Sequence, residues 1–247
     1  MRQTNANAKD LDILLSEVNK LLRNGAIEPV PPEKMQAGFY STFFLVPKKS
    51  GEMRPVINLR PLNRYLRKQH FKMDCLSKVM NLVQLGDWAI SIDLKEAYLH
   101  VPLHVAHRKF LCFCIQGKAF QFTCLCFGPS QAPRNFTKIV VAAHLRMQNL
   151  RLSVYLDDWF LVNQIREMLL RDKTRALNLL AELGFLVNLE KSTLHPSQTI
   201  IYIGTVFHLE KGIVCPTLER IQKIQLAIQN LRQEKTAQSF LHLLGLM

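Results

Sequence analysis

Three carboxylates in this sequence stand at the ends of largely apolar segments, where an unpaired charge is costly. Asp93 follows the segment 89–92, and Asp157 and Asp158 lie side by side between the apolar residues 154–156 and 159–162. Adjacent carboxylates repel each other unless a cation lies between them. Their hard oxygen atoms suit Mg²⁺, and two such ions about 4 Å apart can activate an attacking hydroxyl group and stabilise a leaving group. The alternative is an ordinary polar turn at 157–158, because Asp is common in turns.

The elements that would position these carboxylates follow from the hydrophobic pattern. Residues 88–93 predict a buried strand, and residues 153–162 predict a hairpin with a two-residue turn at Asp157 and Asp158. The other predicted elements are a helix at 11–22 that ends at Asn24 and Gly25, hairpins formed by 41–46 with 54–58 and by 110–115 with 119–127, a helix from Gly128 to about Gln148, a helix at about 166–183 that ends at Gly184, strands at 185–187 and 200–207, and two helical stretches after Pro216.

The charge of the chain is concentrated in one segment. The chain has 247 residues and is 48% hydrophobic, which is enough for a folded core, and its formal net charge is +13. Residues 48–72 hold eight basic residues and a single acid, Glu52, so about half of the net charge lies in about a tenth of the chain. This concentration favours a polyanionic partner, and a merely solvated cationic face is the alternative.

Several classes of protein are excluded by the composition. The longest apolar runs fall far short of the ~18 residues that cross a bilayer, and the first residues form no apolar signal segment, so we predict an intracellular protein (cytoplasm or nucleus) without a membrane segment. Six Cys are too few for a disulfide scaffold. The pairs Cys112/Cys114 and Cys124/Cys126 have strand spacing, which favours core packing over a zinc site. Residues 240–247 are apolar without a polar tail, and we expect the chain to be a fragment of a longer protein.

The carboxylates belong to a series of motifs that resembles a reverse transcriptase, in order along about residues 20–245. Asp93 with Tyr98 resembles motif A of that family, and Tyr155-Leu156-Asp157-Asp158 resembles motif C. The other matches are motif B at 127–133 with Phe136, a fingers signature at 46–51 and 54–60, motif D at 183–185 with 190–192, and a primer grip at 202–204. Motifs B and C look most like those of the tyrosine-recombinase (DIRS-type) retrotransposons.

The resemblance implies a role for each group of residues. Asp93, Asp157 and Asp158 would be catalytic and would hold two Mg²⁺ or Mn²⁺ ions. Lys191 would be a general acid for the leaving pyrophosphate, although a lone lysine is more often a plain surface residue. Tyr98 would clash with a ribose 2′-hydroxyl and so favour dNTPs. The implied dNTP-binding residues are Lys49, Arg54, Leu94, Lys95, Glu96, Ala97, Tyr98, Phe127 and Gly128, and the implied primer grip is Tyr202, Ile203 and Gly204.

The resemblance also implies an α+β fold of the right-hand polymerase type, with palm and fingers, an antiparallel palm sheet and a partial helical thumb. The expected divisions are an N-terminal helix at 1–25, fingers at 26–86, a palm at 87–215 with an interleaved fingers segment at about 104–127, and the start of a truncated thumb at 216–247.

The implied function is RNA-directed DNA polymerisation, the two-metal transfer of dNTPs onto a primer 3′-hydroxyl with RNA or DNA as template. The nucleic acid would be held mainly through its phosphates. Other modules of the element polyprotein, such as RNase H and a recombinase, would lie outside this chain. Two alternatives stay open: an inactive element remnant that only binds nucleic acid, and an RNA-templated RNA polymerase, against which the bulky Tyr98 argues.

Overall fold

A computed structural model describes residues 4, 7–47, 53–67, 69–70, 73–139, 145–146, 148–233 and 235–246. Helices and strands are mixed along these residues, as in an α+β protein. The helices are α1 (Ala8–Arg23), α2 (Arg60–Asn63), α3 (Leu76–Leu82), α4 (Val105–Arg108), α5 (Ala132–Thr137), α6 (Arg166–Glu182), α7 (Leu218–Gln233) and α8 (Ala237–Leu246), with 3₁₀ turns at Pro32–Ala37 and Ala97–His100. The strands are β1 (Ile27–Pro29), β2 (Tyr40–Ser41), β3 (Phe43–Pro47), β4 (Met53–Ile57), β5 (Trp88–Asp93), β6 (Cys112–Ile115), β7 (Lys118–Phe122), β8 (Arg151–Tyr155), β9 (Asp158–Asn163), β10 (Thr193–Ser197), β11 (Thr199–Tyr202), β12 (Thr205–His208) and β13 (Ile213–Pro216).

Helix α1 forms where the sequence predicts it. Its apolar residues recur at helical spacing and bury Leu14 and Val18 in the core. The side chain of Asn7 caps its first turn by accepting a backbone hydrogen bond. Gly25, with a φ of 66°, takes the left-handed conformation that ends many helices.

The chain forms two compact units, and the first consists of Met1–Met73 with Glu96–Ile139. It contains a four-stranded sheet in the order β1-β7-β6-β2, in which only β2 and β6 are parallel, and the separate antiparallel hairpin β3–β4. The predicted hairpin around residue 116 is confirmed, and its two-residue turn is Gln116 and Gly117. Phe43 and Phe113 stack in the core with ring centroids 4.9 Å apart.

The second unit consists of Asp74–Lys95 with Val140–Met247. Its main sheet is antiparallel in the order β10-β5-β9-β8, and a second antiparallel sheet has the order β11-β12-β13. The predicted strand at 88–93 and hairpin at 153–162 are therefore confirmed. Helix α6 buries Leu169, Ala176 and Leu180 at helical spacing and lies against β5 and β9.

Two buried aspartates support β8, which is the edge strand of this sheet. Asp87 is fully buried and accepts hydrogen bonds of 2.8 and 2.7 Å from the guanidinium group of Arg151, the first residue of β8. Asp74 accepts a hydrogen bond from the backbone N–H of Val154 at 3.4 Å. Burial alone would raise the pKa of Asp74, but its hydrogen bond and ion pair with Lys78 hold that pKa below the usual value. The two carboxylates thus accept hydrogen bonds from the Arg151 side chain and the Val154 N–H of this edge strand, which would otherwise need other partners.

Two of the predicted strands differ from the structure. Residues 200–207 are not one strand but the antiparallel hairpin β11–β12, joined by Ile203 and Gly204. Both turn residues have positive φ, 47° and 66°, as a type I′ turn requires. Residues 185–187 form no strand; Val187 makes only an isolated bridge to Leu94.

The helix predicted from Gly128 to about Gln148 is interrupted in the structure: α5 covers Ala132–Thr137, and Leu145 and Arg146 are helical again. Helix α5 ends at Thr137, where the N–H of Lys138 donates to the carbonyl of Arg134 at 3.0 Å. Residues 140–144 and 147, over which the prediction extended, lie outside the described residues.

The strand-spaced cysteines belong to the core of the protein. All four strand-spaced cysteines are buried, and burial raises the pKa of the Cys112 and Cys124 thiols to about 11, as expected for inert core residues. The prediction of core packing is confirmed. In the part of the chain that the structure describes, no helix combines the length and the apolar character needed to cross a bilayer.

Replacing Asp87 by Ala should lower the free energy of unfolding by about 3 kcal/mol, because Arg151 would lose the partner of its charge. Urea denaturation followed by circular dichroism measures this value. The control is Glu210→Ala, which removes an exposed carboxylate from the same unit and should change the free energy by less than about 0.5 kcal/mol. Equal effects of the two substitutions would contradict the role given to Asp87.

Candidate active site

The strand register decides which residues form the acidic turn. Tyr155 of β8 pairs with Asp158 of β9, so the turn consists of Leu156 and Asp157 rather than the predicted Asp157 and Asp158. Leu156 has a φ of 56°, the left-handed conformation at the first turn position that usually requires Gly. A leucine at this position is strained, and the hairpin on either side must hold it there.

The register of the next strand pair brings the third carboxylate to this turn. Asp93, the last residue of β5, pairs with Asp158, the first residue of β9. The backbone carbonyl of Asp157 accepts a hydrogen bond from the N–H of Leu94 at 2.9 Å. The three carboxylates that the sequence singles out therefore lie together at one end of the antiparallel sheet.

The backbone of Asp93 is held on both sides by the loop at residues 188–192. Its N–H donates to the hydroxyl oxygen of Ser192 at 2.9 Å, and its carbonyl accepts from the N–H of Asn188 at 2.8 Å. The Ser192 hydroxyl in turn donates to the carbonyl of Asn188 at 2.7 Å. This closed set of hydrogen bonds fixes the point from which the Asp93 carboxylate projects.

The carboxylates are crowded enough to change the ionisation of Asp158. Burial, then the charges of Asp157 and Asp93 and a side-chain hydrogen bond with Asp93, raise the pKa of Asp158 to about 6. The nearby charge of Lys191 opposes this rise. Without a cation, the folded protein therefore favours a proton on Asp158 in mildly acidic solution.

The chemistry of these side chains fits a divalent metal ion. Carboxylate oxygens are hard ligands, and a cation would relieve the repulsion that, together with burial, raises the pKa of Asp158. Within the described ranges, no three acidic, His or Cys side chains are already arranged as a preformed metal cluster. Asp93 and Asp158 share a side-chain hydrogen bond.

Two of the residues implied for triphosphate binding have backbone donors that are already used. The N–H of Leu94 donates to the carbonyl of Asp157, and the N–H of Lys95 donates to the carbonyl of Leu186 at 2.8 Å. Neither N–H can therefore serve as the main donor to a phosphate group. The Lys95 side chain, by contrast, is exposed.

In the first unit, Glu96 is held in an uncommon backbone conformation. Its φ and ψ are 50° and 39°, in the left-handed region, where it precedes the 3₁₀ turn that begins at the buried Ala97. The Glu96 carboxylate accepts a hydrogen bond and forms an ion pair with Lys20 of α1. Lys20 therefore restrains a residue that the sequence assigns to the nucleotide site.

Tyr98 lies in an aromatic cluster of the first unit. Its ring contacts that of Phe127 edge-on at a centroid distance of 4.6 Å and that of Phe136 at 5.1 Å. Only 3% of Tyr98 is exposed, whereas 58% of Phe127 is exposed. Tyr98, which the resemblance predicts to clash with a ribose 2′-hydroxyl, is thus packed against both aromatic residues of motif B. Phe127 presents the accessible surface of this cluster.

Gly128 has a backbone conformation that residues with a side chain rarely adopt. Its φ is 121°, and a Cβ atom there would lie 3.1 Å from a methyl carbon of Leu59. The side chain of Asn63 holds this loop, because its amide group donates to the Gly128 carbonyl at 2.9 Å and its oxygen accepts from the Ser130 N–H at 2.8 Å.

The implied primer grip is divided between a turn and the core. Ile203 and Gly204 form the turn of the hairpin β11–β12. Tyr202 precedes the turn, but its side chain is buried, with its hydroxyl group donating to the carbonyl of Asp158. The turn, and not the Tyr202 ring, therefore offers surface to a ligand.

The structure adds residues that the sequence did not single out and leaves two predicted ones undescribed. Lys49 lies outside the described residues, and Arg54 lies on β4 with its side chain outside them. Asn63 and Lys20 were missed because each acts on a residue far along the chain, 65 positions away for Asn63 and Gly128 and 76 for Lys20 and Glu96.

Comparison with curated proteins finds transposon polyproteins. Over 215 residues the chain is 24% identical to the Transposon Tf2-3 polyprotein and 23% identical to the Transposon Tf2-7 polyprotein, both of Schizosaccharomyces pombe. Each alignment covers 79% of this chain and 16% of the relative, so the chain spans about one sixth of the length of these polyproteins.

Comparison with solved structures finds retroviral enzymes. The chain is similar to the foamy viral protease-reverse transcriptase dRH in complex with dsDNA, with a TM-score of 0.82 and 24% identity, and to the foamy viral protease-reverse transcriptase in complex with RNA/DNA hybrid, with a TM-score of 0.77 and 22% identity. Both similarities cover 100% of this chain, and 41% and 31% of those chains. They confirm the predicted α+β fold with antiparallel sheets.

The family model described as reverse transcriptase (RNA-dependent DNA polymerase) matches residues 46–207. This match includes all three carboxylates, the aromatic cluster of the first unit and the hairpin turn at Ile203 and Gly204. Since it covers more than half of the sequence, the chain belongs to the reverse transcriptase family.

Proposed function

We propose that this chain is the polymerase part of a retrotransposon polyprotein, and that it adds dNTPs to the 3′-hydroxyl of a primer on an RNA or DNA template. The observation that carries this proposal is the meeting of Asp93, Asp157 and Asp158 at one end of an antiparallel sheet. The names of the polyprotein relatives support the retrotransposon origin. The nucleic acids bound in the foamy viral structures support a primed template as partner.

The finer parts of the proposal rest on the motifs. The residues of motifs B and C favour an element of the DIRS type. The divisions into fingers, palm and thumb given above belong to the same proposal, as do further modules of the polyprotein, RNase H and a recombinase, outside this chain.

The metal site of this proposal consists of Asp93, Asp157 and Asp158, which would hold two Mg²⁺ or Mn²⁺ ions. When bound, such ions favour ionisation of the attacking 3′-hydroxyl and neutralise charge on the leaving pyrophosphate. The protein brings the three carboxylates together and fixes the backbone of Asp93 from both sides. The proton that Asp158 favours in mildly acidic solution must leave before the carboxylate can act as a ligand.

The remaining site residues would bind the nucleotide. In this proposal Tyr98 excludes the ribose 2′-hydroxyl, and its two aromatic neighbours support this role because they prevent the ring from turning away. Phe127 and Gly128 offer an exposed ring and a backbone without a side chain. Lys49, Arg54, the exposed Lys95 side chain and the backbone of Glu96 and Ala97 would contact the triphosphate, since the N–H groups of Leu94 and Lys95 are already used. Lys191 would donate a proton to the pyrophosphate.

Primer extension on poly(rA)/oligo(dT) tests the proposal directly. The wild type should incorporate dTTP in preference to UTP, and Asp157→Asn should lower incorporation by at least about 100-fold because one metal ligand is lost. Asp12→Asn, an exposed aspartate of α1, is the matched control and should behave as wild type. No incorporation by the wild type would leave the binding-only remnant, and preference for UTP would favour an RNA polymerase.

The pH dependence of stability tests the carboxylate cluster without any assay of activity. The pKa of Asp158 is raised from 3.8 to about 6 in the metal-free fold, so its contribution to the free energy of unfolding is complete below about pH 4 and is lost as the pH rises through 6. Asp158→Asn should remove this loss and melt a few degrees above the metal-free wild type at pH 8.

The effect of Mg²⁺ on the melting temperature is a second test of the carboxylate cluster. Mg²⁺ should raise the melting temperature of the wild type at pH 8 more than at pH 5, where the proton competes, and should have little effect on Asp158→Asn. An equal response of the wild type to Mg²⁺ at the two pH values would contradict metal binding at Asp158.

Lys191→Leu should slow single-turnover incorporation about 10-fold or more if this lysine donates a proton to the leaving pyrophosphate. Lys211→Leu removes the same charge from another exposed position of the same unit and should leave the rate unchanged. A rapid-quench measurement at saturating dTTP compares the two. Unchanged rates in both variants would remove Lys191 from the mechanism.

A further inference from the structure

Tyr202 lies beside the turn at Ile203 and Gly204 and also contacts Asp158, which directly follows the acidic turn. It is the last residue of β11 and directly precedes the turn at Ile203 and Gly204. Its side chain is 3% exposed, and its ring stacks on that of Phe160 of β9, with centroids 4.7 Å apart and planes 19° apart. The ring therefore packs against the strand that begins with Asp158.

The hydroxyl group of Tyr202 reaches the backbone of the acidic turn. It donates to the carbonyl of Asp158 at 3.0 Å, and the carbonyl of Ser153 on β8 lies 3.5 Å away. The shorter distance identifies Asp158 as the main acceptor. A side chain of the second sheet thus holds the backbone of a carboxylate-bearing residue 44 positions earlier in the chain.

The side chain that makes this hydrogen bond belongs to a buried core cluster that includes Phe160 and Phe207. The hydrogen bond is not a mere consequence of burial, since the buried hydroxyl of Tyr40 has no partner among the described residues.

We propose that Tyr202 is a positioning residue for polymerisation: its hydroxyl group fixes the backbone of Asp158 relative to the turn at Ile203 and Gly204. The inference rests on the proposed function, in which that turn contacts the primer and Asp158 holds metal. One side chain then sets the distance between the primer contact and a metal ligand, and its hydroxyl touches neither the substrate nor the ion.

Loss of the Tyr202 hydroxyl group should change the kinetics of the enzyme in a way that loss of a merely stabilising hydroxyl group would not. Without the hydroxyl group, the Asp158 backbone would be less restrained, so metal affinity and the rate of the chemical step should both fall. Affinity for the dNTP should change little, because the residues assigned to the nucleotide are others. A hydroxyl that serves stability alone would lower the melting temperature and leave the kinetics of the folded enzyme intact.

The test compares Tyr202→Phe with Tyr40→Phe, each of which removes one buried hydroxyl group and keeps the ring. In single-turnover primer extension at saturating dTTP, Tyr202→Phe should be about 3- to 10-fold slower, the worth of one hydrogen bond. Its half-saturating Mg²⁺ concentration should rise about 3-fold, while the dissociation constant of dTTP stays within about 2-fold of wild type. Tyr40→Phe should match the wild type in all three quantities.

Mn²⁺ binding measured by electron paramagnetic resonance separates this proposal from the proposed function. Tyr202→Phe should bind Mn²⁺ about 3-fold more weakly than the wild type even if the wild type extends no primer. Failure of primer extension alone would refute the polymerase function and leave the positioning role supported by Mn²⁺ affinity. Wild-type Mn²⁺ affinity in folded Tyr202→Phe, or a variant that does not fold, would overturn the positioning role.

Discussion

Repulsion among three carboxylates at one end of a sheet is the constraint on which the second unit depends. Asp93, Asp157 and Asp158 are close enough that their charges, added to burial, raise the pKa of Asp158 to about 6. Such a cluster tends to spread apart unless the backbone beneath it is fixed. The surrounding structure supplies that fixation through hydrogen bonds to backbone atoms, which leave the carboxylate oxygens to bind cations or protons.

Different hydrogen bonds hold the two strand ends that carry Asp93 and Asp158. Ser192 and Asn188 close around the backbone of Asp93, and the hydroxyl of Tyr202 holds the carbonyl of Asp158. The strand β8, which leads into the acidic turn, is anchored at its start by the ion pair of Arg151 with Asp87. These interactions also keep Leu156 in its strained conformation, because a hairpin fixed on both strands cannot relax its turn.

The first unit holds an aromatic cluster and an exposed segment of backbone in place. Tyr98 is packed against Phe127 and Phe136, so its position is set by aromatic contacts. Gly128 leaves its backbone bare where a side chain would meet Leu59. Tyr98, Phe127 and Gly128 are among the residues that the proposed function assigns to the nucleotide.

The sequence by itself determined the elements and the chemistry: the carboxylates at strand ends, the helix α1, the hairpin that carries Asp157, and the order of the motifs. The elements follow from local hydrophobic periodicity and residue type, and the order of the motifs was recognised by their resemblance to reverse transcriptases. Only the tertiary structure decided that Leu156 belongs to the acidic turn, that Ile203 and Gly204 divide one predicted strand into two, and that Tyr202 bonds to Asp158. Strand register and hydrogen bonds between residues far apart in the chain depend on how whole elements pack, and no local pattern encodes that packing.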